Sequence, residues 1–306
     1  MSDTTLFLII TALFCLPLFL FLAAAGLPMA SAALLFAPPK RVKVFRDKFG
    51  QQTATLCLLA GFLGLAFLFG FSFSRSNPAG ISFWLAWPLP LLPMAGVVLA
   101  GLLALVYRAT WQGFKNKRPL HALIGVAATL VAWTLAYFVV ISFRHLAATG
   151  AASATTPMLF LPPLDSLAWY YLPLALALSL TLAGTAASLY LVLRRNKDDF
   201  GRDYYNYAVK LACKWALIFC LPALILHIGL AFRLKLATMA LPNAALFLWS
   251  ALAARVCLAV ACLFWVLVLK SQNPLRLKFL CFCAALLVWM AIAGMAVGSV
   301  TYFLSS

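Results

Sequence analysis

The amino-acid sequence predicts an all-α integral membrane protein, with eight transmembrane helices arranged as two tandem four-helix bundles in a parallel repeat. The first observation is composition: 66% of the 306 residues are hydrophobic and 9% are charged, whereas a soluble domain has about 25% charged residues. The second is that eight apolar stretches are long enough to cross a bilayer, which takes about 20 residues each. The third is that landmarks of the first half recur in the second.

The predicted helices are separated by turns rich in charged, glycine or proline residues. They cover residues 5–37, 52–74, 82–108, 120–142, 165–194, 206–232, 243–269 and 275–303. The first stretch exceeds one straight crossing, and Pro17, Gly26 and Pro28 are the places where we expect it to kink or break. Only Asp3 precedes it, without the basic residues that open a cleaved signal peptide.

The basic residues lie mainly in alternate turns. Four of the 23 lysines and arginines fall on one side of the predicted membrane, Arg255 falls within a helix, and the remainder share the other side. That remainder is Lys40, Arg41, Lys43, Arg46, Lys48, Arg108, Lys115, Lys117, Arg118, Arg194, Arg195, Lys197, Arg202, Lys210, Lys214, Lys270, Arg276 and Lys278. Because basic turns stay in the cytoplasm, we expect a multi-pass protein of the bacterial cytoplasmic (inner) membrane with both termini outside.

The net charge of +17 is explained by this cytoplasmic face, which also attracts anionic lipid headgroups. The expected partner is therefore the lipid bilayer and not nucleic acid. Trp111 and Trp265 fall near inner helix ends, where tryptophan often anchors the interface. The stretch "RRNKDDFGRDYYNYAVK", residues 194–210, mixes charges with tyrosines and is expected to lie in the interface before the sixth helix.

The two halves share short sequence features at nearly the same offset, 156 and 155 residues. Arg46-Asp47 follows the first helix and Arg202-Asp203 follows the fifth, 156 residues later, while "RPL" and "NPL" precede the fourth and eighth helices. Four helices per half is an even number, so the repeats are expected to be parallel. The halves meet in "LAATGAASATTP", residues 146–157, which divides the chain into bundles over 1–148 and 149–306. The pair Gly294 and Gly298 is expected to allow close helix approach.

Arg255 lies near the middle of "LFLWSALAARVCLAVACLFW", residues 246–265. An arginine at the bilayer centre costs about 2.5–3.5 kcal/mol on insertion scales, and the apolar segments contain no carboxylate that would neutralise it. Expected partners are helix carbonyls, an anionic ligand or quinone oxygen, a haem propionate, or an acid on another subunit. Arg255 is therefore the candidate ligand or subunit contact, although an arginine that bonds carbonyls inside the bundle explains it as well.

Three histidines and eight cysteines offer little chemistry. His145 and His227 share the outer leaflet, one in each half, and are the candidate axial ligands of a haem b, although interfacial histidines that contact water are the more ordinary explanation. His121 is expected to contact headgroups. The cysteines are expected to be small buried residues. No catalytic or metal-binding residue is predicted, since the sequence has no glutamate and no zinc spacing.

Two stretches resemble membrane proteins related to subunit I of cytochrome bd-type quinol oxidases. They are "FLAAAGLPMASAALLFAPPKRVKVFRDKFGQQTATLCLLAGFLG", residues 21–64, and "WYYLPLALALSLTLAGTAASLYLVLRR", residues 169–195, each a small-residue-rich helix with a basic end. The resemblance implies an outside N-terminus and two four-helix bundles. The family's haem histidine in the first helix is absent, since this chain reads "LPLFLFL", and its quinol-site glutamates are absent too. The resemblance therefore transfers no catalytic residue.

The leading functional prediction is a membrane subunit of a quinone-linked respiratory or electron-transfer complex. Its cofactor would be a quinone or haem b, and its partners a c-type cytochrome or an iron–sulfur protein. The alternative is a small transporter or lipid-handling membrane protein with Arg255 at an anionic substrate site. A third is a non-catalytic membrane anchor or assembly factor, which would bind a partner and no ligand.

Overall fold

The computed structural model describes residues 3–35, 43–72, 91–114, 117–149, 168–198, 200–238 and 244–305. Within these ranges the chain forms eight α-helices, one 3-10 helix and no strand. The helices are α1 (Asp3–Leu35), α2 (Lys43–Ser72), α3 (Leu91–Ala109), α4 (Arg118–Thr149), α5 (Ala168–Arg194), α6 (Gly201–Thr238), α7 (Ala244–Lys270) and α8 (Lys278–Ser305), and the 3-10 helix is Pro274–Leu277. The predicted all-helical class is confirmed.

Six of these helices are long and apolar enough to cross a membrane. The candidate spans are Leu6–Leu34, Lys43–Phe67, Trp169–Arg194, Gly201–Arg233, Ala245–Lys270 and Pro274–Ser299. Among the described residues of α3 the apolar stretch is Val98–Ala109, which is shorter than a candidate membrane span. A multi-pass membrane protein is therefore indicated, while a count of eight crossings stays a prediction.

Several helices extend beyond their predicted bounds. Helix α1 continues through Pro17 and Pro28 without a break. Helix α2 begins at Lys43 and so includes part of the predicted basic turn. Helix α4 runs to Thr149, so the first residues of the predicted linker are helical. A helix can continue into polar residues at the membrane surface, so the end of an apolar run does not mark the end of the helix.

Helices α1 and α5 pack against each other at the centre of the molecule. Helix α1 also contacts α2 and α4, which both contact α3; α5 contacts α6 and α8, which both contact α7. Most of α5 is buried, and its side chains from Leu174 to Val192 supply many of the core residues. The core is thus continuous between the two sequence halves.

Small residues set the distance between the central helices. A β-carbon built on Gly26 of α1 would lie 2.4 Å from the Ser179 carbonyl oxygen of α5. At Gly294 of α8 it would lie 2.8 Å from the Ser250 carbonyl oxygen of α7, and at Gly298 3.3 Å from the Ser250 hydroxyl oxygen. The close approach predicted for the Gly294–Gly298 pair is confirmed. Close backbone contact supplies the van der Waals attraction that holds membrane helices together.

Candidate functional site

The residues of the predicted basic turns meet at one end of the helices. Arg118 at the start of α4 forms an ion pair of 3.3 Å with Asp47 of α2. Nε of Arg108 in α3 donates to Thr55 Oγ1 at 2.7 Å. These contacts bring the turns after α1 and α3 together, as the charge pattern predicts for turns on one side of a membrane.

A polar network joins α2 to the α5–α6 turn at this end. Gln52 Nε2 donates to Asp198 Oδ2 at 2.9 Å, and Tyr204 OH donates to Gln52 Oε1 at 2.5 Å. Tyr205 OH and Arg194 Nε donate to the same Asp198 oxygen at 3.1 and 2.7 Å. Gln52 and both tyrosines are buried. A buried network whose members satisfy one another fixes the orientation of the helices that carry it.

The local sequence explains how Asp198 reaches this position. Helix α5 ends at Arg194, and the turn that follows brings Asp198 within reach of the last residue of the helix. Gly201 opens α6 at a φ of +78°, a backbone conformation that glycine adopts without steric cost. Tyr204 and Tyr205 then occupy the first turns of α6, with their side chains buried against neighbouring helices.

The Asp198 carboxylate is held in its charged form. Its pKa lies below the ordinary value of 3.8, chiefly because of the hydrogen bond from Arg194, and hydrogen bonds from Tyr205 and Gln52 act in the same direction against desolvation. The ion pair between Arg194 and Asp198 is partly exposed, so water screens part of its attraction. At neutral pH the carboxylate is therefore a negatively charged acceptor that the hydrogen bonds of the network hold in place.

A cavity of about 520 Å³ opens beside this network, between the turn that follows α5, the start of α6 and the 3-10 helix. Three arginines, Arg195, Arg202 and Arg276, line it together with Asp198 and Leu275. The positive charges come from three separate elements of the chain. From the sequence alone these arginines only mark the cytoplasmic face, because nothing in their linear spacing shows that they share a concave surface.

Arg255 lies on the flank of α7, between its buried and its exposed side. Ala254 and Leu258 on one side are fully buried, whereas Leu252 and Val256 on the other are exposed. Its Nε donates to the Ala251 carbonyl oxygen of the same helix at 3.0 Å. This bond matches the ordinary explanation of a carbonyl partner, and the guanidinium retains further N–H donors. The two ion pairs among the described residues both lie at the basic end and not near Arg255.

His227 of α6 is buried, and its Nδ1 has no hydrogen-bond partner among the described residues. It lines a cavity of about 20 Å³ together with Tyr171 and Ser299, whose hydroxyl oxygens lie 3.3 Å apart. Arg255 is near enough to interact with His227 electrostatically. A cavity of this size has room for about one water molecule. The helices as packed around His227 therefore do not fit a haem.

The other histidines have different surroundings. His145 lies near the C-terminal end of α4, where side chains are outside the described residues, so a pairing with His227 stays a prediction. His121 is buried, and its Nε2 lies 2.8 Å from the Tyr107 carbonyl oxygen while its ring stacks on the Tyr107 ring at 4.4 Å. The expectation of a headgroup contact for His121 was therefore wrong. The ring fills a gap between α3 and α4.

Two tryptophans and the cysteines belong to the core. Trp265 is fully buried and Trp111 is nearly so, which corrects their assignment as interface anchors. All eight cysteines are free thiols, six of them buried, as expected for small apolar residues. Among the described residues no group of three or more histidines, cysteines or acids converges on one point.

Comparison of the chain with models of known protein families and with curated protein sequences finds no match in either case.

Proposed function

We propose that the protein is a membrane subunit of a quinone-linked electron-transfer assembly, in which Arg255 contacts a quinone carbonyl oxygen. The observation that supports this is the position of Arg255 on the flank of a membrane-spanning helix, with Nε bonded to its own helix. A charge there is costly unless an acceptor oxygen meets it. A quinone in the lipid phase has such an oxygen and reaches the flank laterally.

The proposed scaffold is a duplicated one, with eight crossings and parallel bundles over residues 1–148 and 149–306. In its support, the four helices of each half contact one another in the same cyclic order, and the first helices of the halves, α1 and α5, pack together. The basic ends of the helices would face the bacterial cytoplasm, with both termini outside. Cysteine labelling from either side of intact membrane vesicles tests this orientation.

The alternative is a small transporter or lipid-handling protein with Arg255 at an anionic substrate site. The partly exposed guanidinium fits an anion as well as a carbonyl oxygen. The third hypothesis is a non-catalytic membrane anchor or assembly factor, in which a carboxylate of a partner subunit meets Arg255 and no ligand binds. A c-type cytochrome or an iron–sulfur protein is the partner that the electron-transfer hypothesis proposes. The three hypotheses predict different molecules on the purified protein: a quinone, an anionic substrate, or a partner subunit.

The deciding experiment compares wild type with Arg255→Gln and with Arg233→Gln, a matched change at an exposed arginine near the C-terminal end of α6. Quinone is extracted from the purified protein and quantified, and co-purifying proteins are identified. We expect wild type and Arg233→Gln to retain quinone and Arg255→Gln to lose it. A folded wild type that binds no quinone and no partner would contradict the proposal.

A reduced-minus-oxidised optical spectrum tests the haem hypothesis separately. Haem bands that disappear in His145→Ala or His227→Ala would assign the ligands and would require the helices around His227 to open. A colourless protein would leave Arg255 as a binding or subunit contact without haem chemistry.

A further inference from the structure

We propose that the cavity between the α5–α6 turn and the 3-10 helix binds the phosphate-bearing headgroup of an anionic phospholipid. Arg195 follows α5, Arg202 lies in the first turn of α6, and Arg276 lies in the 3-10 helix. A planar guanidinium forms paired hydrogen bonds to phosphate oxygens. Three of them around about 520 Å³ fit a headgroup with several acceptor oxygens.

Asp198, the one carboxylate that the described residues place in the cavity wall, leaves this positive charge largely intact. Asp198 Oδ2 already accepts hydrogen bonds from Arg194, Gln52 and Tyr205. Its charge is balanced by Arg194, which is not one of the cavity arginines. Among the described residues no ion pair involves the three cavity arginines, which therefore remain available to an anion.

Neutral amides orient two of these arginines. Arg195 Nε donates to Asn196 Oδ1 at 3.2 Å, and Arg202 Nη2 donates to Asn273 Oδ1 at 3.1 Å. An amide oxygen positions a guanidinium without cancelling its charge. Each guanidinium has five N–H donors, so one such bond leaves others for a ligand.

An apolar side chain in the cavity wall and exposed apolar side chains on the helices that lead to it favour a lipid over a soluble phosphate. Leu275 lines the cavity, while Leu193 of α5 is 63% exposed and Phe279 of α8 is 71% exposed. Both exposed residues lie two or three positions from a cavity arginine, on the membrane side of it. Acyl chains can cover them while the headgroup occupies the cavity, as in the basic pockets between transmembrane helices that bind anionic headgroups.

The test titrates the full-length protein in detergent with cardiolipin, phosphatidylglycerol, phosphatidylcholine and inorganic phosphate, with binding followed by native mass spectrometry and thermal shift. We expect the two anionic lipids to bind and to raise Tm, and the other two to have no effect at the same concentration. Arg202→Gln and Arg276→Gln are expected to weaken anionic-lipid binding about fivefold each, the effect of one basic residue near an anionic surface.

Lys270→Gln is the matched control, since Lys270 is an exposed basic residue at the same end but outside the cavity. It is expected to retain wild-type lipid affinity. Equal losses in Lys270→Gln and Arg276→Gln would overturn the proposal in favour of diffuse surface charge, and a full thermal shift with inorganic phosphate would overturn the assignment to lipid. If Arg202→Gln fails to fold because its bond to Asn273 is lost, Arg276→Gln alone decides. The outcome is independent of quinone binding at Arg255.

Discussion

The substitution Gly26→Ala tests the central α1–α5 contact directly. The added β-carbon would lie 2.4 Å from the Ser179 carbonyl oxygen and 2.8 Å from its carbonyl carbon, whereas ordinary contacts begin at 3.4 Å. Backbone atoms cannot rotate away, so the two helices must separate by about 1 Å at this level. Ser179 is also held by Trp133 of α4, whose Nε1 donates to its hydroxyl oxygen at 2.8 Å. Displacing α5 therefore disturbs a third helix.

The magnitude follows from two opposing contributions. Overpacking of a close contact costs about 1–3 kcal/mol, while replacing glycine by alanine within a helix gains about 0.5–1 kcal/mol. Because the 2.4 Å contact is with a backbone atom, the overpacking cost should fall in the upper part of its range, at about 2–3 kcal/mol. After the gain from alanine is subtracted, we expect Gly26→Ala to lower the free energy of unfolding by about 1–2.5 kcal/mol. Unfolding by sodium dodecyl sulfate in mixed micelles, followed by circular dichroism, measures this difference.

Gly229→Ala is the matched control. Gly229 lies within α6, and a β-carbon there meets nothing within 4 Å. This variant is expected to be as stable as wild type or more stable. If Gly26→Ala were also as stable as wild type, α1 and α5 would not pack as described, and the continuous core between the two halves would be refuted.

Three further predictions concern polar groups near the basic end. Gln52→Leu removes the acceptor of a buried tyrosine hydroxyl and should cost about 1–3 kcal/mol of unfolding free energy, whereas Gln112→Leu at an exposed position should change it by less than about 0.5 kcal/mol. Because the pKa of Asp198 is lowered on folding, the carboxylate stabilises the fold above pH 3.8, and this contribution is lost as the pH falls below that value. The variant Asp198→Asn should therefore be less stable than wild type at neutral pH. Melting temperatures measured over a pH series should lack this acid-dependent loss in the variant. His121→Phe keeps the ring stacking but loses the bond to the Tyr107 carbonyl, so Tm should fall by the equivalent of about 1 kcal/mol; an unchanged Tm would mean that the bond contributes nothing.

The sequence by itself determined the membrane class, the helical class and the approximate positions of the helices. These follow from composition and from the length of apolar runs, which are local properties: residues 165–194 were predicted as a helix, and α5 covers Ala168–Arg194. The sequence also predicted that the charged turns lie at one end of the molecule, because successive helices of similar length are antiparallel and alternate turns then lie on the same side. The approach at Gly294 was predictable because small residues four apart lie on one helix face.

Only the tertiary structure decided which face of each helix points inward. Lipid and protein core are both apolar, so a membrane helix such as α7 has no amphipathic pattern that marks its buried side. Trp265 was consequently assigned to the interface although it is fully buried. The hydrogen bond between Gln52 and Asp198 joins residues 146 positions apart, and the cavity arginines meet only once α5, α6 and the 3-10 helix are packed. Such sites depend on helix rotation and pairing, which no local pattern specifies.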